Sequence, residues 1–529
     1  MSTNQQTREE ISVLEFGAVG DGVADDTAAI RAALASGARR VIIPVGVFSI
    51  RNVLEPTENQ HLVIQGTIRL ADSPVQSLTA DVAVGDSEIH VTDSSAFGLG
   101  EWVSLHDDRL PIQGGGRKVR RAGAGNARIT SISGNSLKLD RASARSYLCE
   151  ANAVAGRQHS AIWISHSGVR ISGGGMIDGN KANHLNAAPG YLEEVHSEDW
   201  RAASGIVACR PSRQTSAQSQ SEDSRGASGT PAIDDPLLAD IFLSDIVIED
   251  ITVCDTTLMG ICLANVERGT IKNTTCLRAH DKNITLYCCR DCQIIGNTAS
   301  DSEWEDGIML HKSDPRVACH RIMIQGNLCK NNARFGIHTG ANIREVFLAN
   351  NLCVENGLNL SIYSDNCTST GDVAIGTTDR LFTADVYRPN VLVAGHHNSI
   401  VNLTALATRF VGLELGGYHL SVTGGIIGQM AAPLPDAENG GIRVEEGHWG
   451  AGSGEFWVRG DCRIGIALVP EIQSLPTQVR VTGVQVHGCR VGVKVCDEAT
   501  LVYLSGNDLT QNQIPTEIGA AAIKEVHVL

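Results

Sequence analysis

The chain repeats itself from about Trp163 onward. GVRISGGGMIDGN, IVIEDITVCDTTLMGICL, ERGTIKNTTCLRAHDKNITLY, CQIIGNTASDSEWEDGIMLH, RIMIQGNLCKNNARFGIHTG and VFLANNLCVENGLNLSIY follow one another as variants of one unit. Asn273, Asn297, Asn327 and Asn351 mark the period at 24, 30 and 24 residues, and an apolar strand follows each of them. A period of roughly 20 to 50 residues is the signature of a solenoid, because one unit alone cannot bury its apolar face and must stack on its neighbours. Short β-branched runs with Asn and Gly between them make the unit a coil of strands and tight turns. The expected fold is all-β, a parallel β-helix. Ile284, Ile308, Ile337 and Ile362 are expected to form one internal ladder, and Cys329 with Cys353 part of another.

Composition supports this. Only 4% of the residues are aromatic although 42% are hydrophobic, so aliphatic and small side chains fill the core. The net charge of −16 opposes sequence-independent nucleic-acid binding, which depends on Lys and Arg. Met1 to Glu10 is polar, without the apolar core of a secretion signal, and no later stretch is apolar enough to span a bilayer. The expectation is a protein with no membrane and no nucleic-acid partner, cytoplasmic on the missing signal, with action outside cells or on a virion kept open.

Before the repeat, FGAVGDGVADDTAAIRAAL places Asp25, Asp26 and Thr27 ahead of an Ala-rich periodic run. That is a helix start, and a short helix beside recurring strands suits the plug that a terminal coil needs. From Ala71 to Gly156 the pattern becomes hairpin-like, as in ARITSISGNSLKLDR, which reads as a small inserted β subdomain. The expected divisions are 1–71 for the cap and first coils, 72–157 for the insert and 158–529 for the main parallel β-helix. The Ser-rich stretch from Gln214 to Thr230 is too polar to pack and is expected as a surface loop.

The 15 cysteines are an odd number, which favours buried thiols over a disulfide framework. Cys288, Cys289 and Cys292 form a CCxxC cluster, but a structural zinc needs four placed ligands and no second pair lies nearby in sequence. No metal or cofactor is called for.

FGAVGDGVADDTAAI resembles the N-terminal signature of the pectin-lyase-like right-handed parallel β-helix superfamily, which includes polygalacturonases, pectate-lyase-type proteins and phage tailspike depolymerases. GGGMIDGN resembles the G-x-IDG segment of polygalacturonase-like members. The resemblance implies the right-handed hand of the coil, carbohydrate as substrate and, as often in that superfamily, a homotrimer. Glu305-Asp306-Gly307-Ile308 resembles the paired-acid DDxI segment of polygalacturonases. The flanking coils depart from that pattern. AHDKNI places Asp281 one residue out of register, and RFGIHTG has Arg334 and Phe335 where a His is expected, with His338 displaced onto the following strand.

Glycoside hydrolysis needs one carboxylic acid to protonate the leaving oxygen and one carboxylate to act as nucleophile or to activate water. Stacked coils would supply such a pair, with Asp281 and Asp306 as acid and base, Glu305 and Glu303 as supporting carboxylates. His280, Lys282, His311, Arg334 and His338 are candidate substrate contacts, and Trp304 a sugar-stacking platform. Lys312 and Lys330 add to the basic character of the stretch. Hydrolysis of a polysaccharide or oligosaccharide in a groove is the expected activity. The alternatives are β-elimination on a uronate-containing glycan with a Lys, Arg or His base, sugar epimerisation or intramolecular glycosyl transfer, and a non-catalytic glycan-binding adhesin.

Overall fold

The computed structural model describes residues 9–107, 127–143, 146–184, 204–210, 242–311, 318–378, 389–407, 411–428, 464–468, 478–495, 501–519 and 526–528. The Ser-rich stretch and Lys312 lie outside them. The chain forms two compact units, Met1–Ser228 with Asp234–Asn283 and Gly229–Ile233 with Ile284–Leu529. Both are coils of a right-handed parallel β-helix.

In the first unit, the strands Arg40–Ile43, His61–Ile64, Arg170–Ser172, Val247–Glu249 and Thr270–Lys272 stack in parallel as one wall. Val47–Ile50, Thr67–Leu70, Met176–Asp178, Thr252–Cys254 and Thr275–Leu277 make a second. The third comprises Ile162–Ile164, Ile206–Ala208 and Ile261–Ala264. Alternate side chains enter the coil, so Val41, Leu62, Ile171, Ile248 and Ile271 are all fully buried.

The one described α-helix, Thr27–Leu34, buries Ile30, Ala33 and Leu34. Its start differs from a simple cap. The Asp25 carboxylate accepts from the Thr27 amide at 3.1 Å, while Asp26 turns back to accept from the amides of Val19 at 2.6 Å and Gly20 at 3.2 Å. Asp26 thereby ties the FGAVG turn to the helix. Gly20 sits at φ +70° against Phe48, whose ring carbon would lie 2.7 Å from a Cβ, so no larger residue fits.

Within the first unit an antiparallel six-stranded sheet runs from Gln76–Ser77 to Val154–Arg157. It has its own apolar cluster, which includes Leu78, Val82, Ile89, Val103, Leu105, Leu137 and Tyr147. Glu101 joins it to the coil beneath: Arg51 donates to this carboxylate at 2.9 Å, and Arg157 lies 3.6 Å from it.

In the second unit the internal ladder runs Ile284, Ile308, Ile337 and Leu360. Ile362 belongs instead to the neighbouring ladder, opposite Thr339, because it stands two positions beyond Leu360. Cys329 and Cys353 pair as expected, both buried.

Asn297, Asn327 and Asn351 form a buried amide ladder that ends on Asp372. Each side-chain N–H donates to the next residue's oxygen, at 3.0, 2.9 and 2.9 Å. The Oδ1 atoms of Asn327, Asn351 and Asp372 also accept from the main-chain amides of Asn297, Asn327 and Asn351, each one coil earlier. A second ladder runs from Asn332 to Asn356 and Asn359. Asn273 is no ladder residue. It is exposed in the first unit at φ +51°, and the buried position beside it is Thr274. Asn tolerates the left-handed turn as well as it does an internal amide bond, so one residue type marks two different positions of the coil.

Candidate functional site

In the second unit several of the polar side chains singled out by sequence meet aromatic rings. Phe335–Thr339 lies in parallel register between Ile308–His311 and Leu358–Ile362, so Met309, His338 and Ser361 form one outward row. The His338 ring stacks on Phe335, with centroids 4.6 Å apart and planes 18° from parallel. Its other neighbour is Tyr363, edge-on at 5.7 Å. Nδ1 of His338 shares a hydrogen bond with Ser361 Oγ at 3.1 Å, which fixes the ring's orientation.

The Arg334 guanidinium also lies over Phe335, its carbon 4.5 Å from the ring centroid. Nη1 of Arg334 pairs with Glu305 at 2.5 Å. The Arg334 amide donates to the Glu305 carbonyl at 3.0 Å, and the Phe335 amide to Asp306 Oδ1 at 3.2 Å. Burial pulls the Arg334 pKa down. The opposing charge of Glu305 and then Asp306, with the Glu305 hydrogen bond, outweighs that effect and holds it above the usual guanidinium range.

Glu305, Asp306, Arg334 and His338 converge in the second unit. Asp306 has no exposed surface, whereas Glu305 and His338 each keep 8% of theirs. Glu303 is exposed, and Trp304 retains 8% of its surface, too little for the open sugar platform expected of it. His311 is half-buried beside Tyr287, ring centroids 5.2 Å apart. His280, Asp281 and Lys282 are buried in the first unit. There the Lys282 ammonium donates to Asp281 at 2.7 Å, and the amides of His280 and Asp281 donate to Thr256 and Leu258 carbonyls.

Sequence reasoning missed Phe335 as a platform, and it missed Tyr287, Ser361 and Tyr363. The signal for Ser361 was its position 23 residues after His338, one coil further on.

The described residues hold two further groups of metal-ligating types. The fold adds a fourth thiol, Cys319, to the CCxxC cluster, since Cys289 hydrogen-bonds with both Cys292 and Cys319; burial, then these neighbours, raise its pKa well above the usual thiol value. In the first unit Asp178, Cys254 and Asp255 place ligand-type atoms within 4.8 Å of one another. Arg278 engages Asp255 there at 2.8 and 2.6 Å.

Among solved structures, the N-terminal fragment of bacteriophage Phi29 gene product 12 superposes with a TM-score of 0.54 at 14% identity, covering 98% of this chain and 72% of that one. The chain is a right-handed parallel β-helix. The A-module of mannuronan C-5 epimerase AlgE4 from Azotobacter vinelandii gives a TM-score of 0.48 at 13% identity, covering 98% and 99%. A family model described as periplasmic copper-binding protein (NosD) matches residues 242–374. In sequence, the mannuronan C5-epimerases AlgE1 and AlgE2 of Azotobacter vinelandii are 34% and 35% identical over 107 residues. These matches span 17% of this chain but only 7% and 10% of the relatives. No described helix is long and apolar enough to cross a membrane.

Proposed function

We propose that the chain is an enzyme acting on a uronate-containing polysaccharide, and that the stack of Arg334, Phe335, His338 and Tyr363 removes and returns the proton next to the uronate carboxylate. The observation that carries this reading is His338, held by Ser361 and Phe335 with a phenol edge on one side and a guanidinium one ring away. Carbon acids beside a carboxylate need that combination: a cation to hold the carboxylate as charge builds on it, a base to take the proton, and a second acid to deliver one. A guanidinium carries five N–H donors, and Glu305 engages the Nη1 side. Asp306, wholly buried, acts through Arg334 and the Phe335 amide rather than on the sugar.

The local likeness to mannuronan C5-epimerases supports a uronate polymer as substrate. Loss of the leaving group after proton removal gives β-elimination; reprotonation from the opposite face gives C5 inversion. Hydrolysis by paired carboxylates draws less support, since Glu305 is bound to Arg334 and Asp306 has no exposed surface.

The deciding experiment incubates the protein in deuterium oxide with polymannuronate, polyguluronate, polygalacturonate and a neutral glucan. An unsaturated product absorbing in the near ultraviolet identifies elimination; deuterium at C5 in intact chains identifies epimerisation. Either should vanish in His338→Gln. New reducing ends without the chromophore would replace this reading with hydrolysis, and no turnover of any polymer would leave an adhesin.

A further inference from the structure

The second unit carries another concave feature, on a wall that the proposed catalytic row does not use. A cavity of about 420 Å³ is lined by His419, Ser421, Gln478, Arg480 and Tyr503, with Leu420 and Leu501 as its apolar part. Ser421, Arg480 and Tyr503 occupy one register position on three successive coils, so their side chains project side by side from the outer face. The catalytic row belongs to a different stack of strands, that of Phe335–Thr339 and Leu358–Ile362.

We infer that this cavity is an accessory binding site for an acidic saccharide segment, separate from the proposed catalytic group. Its volume falls within the range of about 300 to 1,000 Å³ typical of small-ligand sites. Arg480 lies over the Tyr503 ring at 5.2 Å, a contact that orients the planar guanidinium and suits it to a carboxylate. Among the described residues none of the seven that line it is acidic, and Arg480 is charged, in a chain whose net charge is −16. Ser421 and Gln478 supply the mixed donors and acceptors that sugar hydroxyls require.

The approach to the cavity is aromatic. His397 stacks on His419 at 4.7 Å, nearly parallel at 7°, and His396 stacks on Tyr418 at 3.7 Å. His397, His419, Gln478 and Leu501 all take the left-handed conformation, one per coil, which brings this corner of successive coils to the same place. A group of aromatic rings beside a pocket that holds an arginine fits a chain of uronate rings, which combine apolar C–H patches with carboxylates that seek a cation. The choice of an acidic sugar rests in part on the proposed function, but binding can be measured without turnover.

The test is calorimetric titration of the full chain with a size-defined oligouronate and with its carboxyl-reduced neutral counterpart. Arg480→Gln and Tyr503→Ala are compared with wild type and with His338→Gln, after thermal melts confirm that each variant is folded. The expected result is at least tenfold weaker oligouronate binding in Arg480→Gln and Tyr503→Ala, preference for the acidic over the neutral ligand in wild type, and unchanged turnover of substrates too short to reach the cavity. Wild-type affinity in both cavity variants would overturn the inference while leaving the catalytic reading intact. Loss of binding in these variants, with no turnover of any uronate by wild type, would uphold the cavity and remove the catalytic reading. Failure of wild type to bind any oligouronate, or equal binding of the neutral ligand, would also overturn it.

Discussion

His338 lies flat against Phe335 while its Nδ1 meets Ser361 Oγ from the next coil, so the imidazole is oriented by one residue of its own strand and one from its neighbour. Phe335→Leu keeps an apolar filler but removes the flat support. We expect turnover on polyuronate to fall by roughly 10-fold to 100-fold, and His338→Gln to lose the 10²–10⁴-fold typical of general acid–base catalysis. Steady-state kinetics beside thermal melts check both; equal activity in Phe335→Leu and wild type would show that the stack does not position the base.

Glu305 and Arg334 are a mostly buried ion pair, with 10% and 16% of their side chains exposed. Glu305→Gln leaves Arg334 charged and underpaired, and breaking such a pair costs about 3 to 5 kcal/mol. Urea denaturation should report that loss. Arg268 and Asp245, 52% and 58% exposed, provide the comparison: Asp245→Asn should cost under about 1 kcal/mol.

The amide ladder predicts unequal roles for two asparagines that look alike in sequence. Asn327 accepts from the Asn297 amide and side chain and donates to Asn351 and the Ile294 carbonyl. Asn327→Ala strands several buried partners and should cost roughly 3 kcal/mol or more. Asn273→Ala loses only an easy left-handed turn, worth about 1 kcal/mol. Comparable losses in the two variants would contradict the ladder.

Two buried histidines in the first unit set an acid limit on stability. Burial, with Arg157 adding charge repulsion, pushes His184 down to about 4; burial pushes His159 down to about 3, with His184, Arg157 and Arg31 adding to it. Asp72 acts on His184 in the opposite sense. Both histidines are neutral when folded and take up protons more readily when unfolded. Their contribution is therefore complete above about pH 6.5 and is lost as the pH falls toward 4 and then 3, roughly 3 to 5 kcal/mol for each. Denaturation midpoints measured from pH 7.5 to 4 should fall steadily; a flat profile would show that these rings are not held neutral.

The repeat announced the coil because the core positions are aliphatic and regularly spaced, the helix was legible from a periodic Ala run, and the antiparallel pairing of Ala127–Ser133 with Ser136–Leu139 from hairpin alternation. Exact register was not. Ile362 and Leu360 are both apolar and two residues apart, so spacing alone could not say which continues the Ile337 row. Asn273 mimicked a ladder residue because the turn favours the same side chain. At the site, charge clustering drew attention to Glu305, Asp306 and Arg334, but the support from Phe335, Ser361 and Tyr363 depends on which residues face one another one coil apart. Asp306 shows the limit most clearly: a carboxylate that reads as groove-lining is enclosed by the Phe335 amide.

Asp26, which grips the amides of Val19 and Gly20, governs more than the start of a helix. Removing this one buried carboxylate would release both amides at once and cut the turn loose from the helix that follows it.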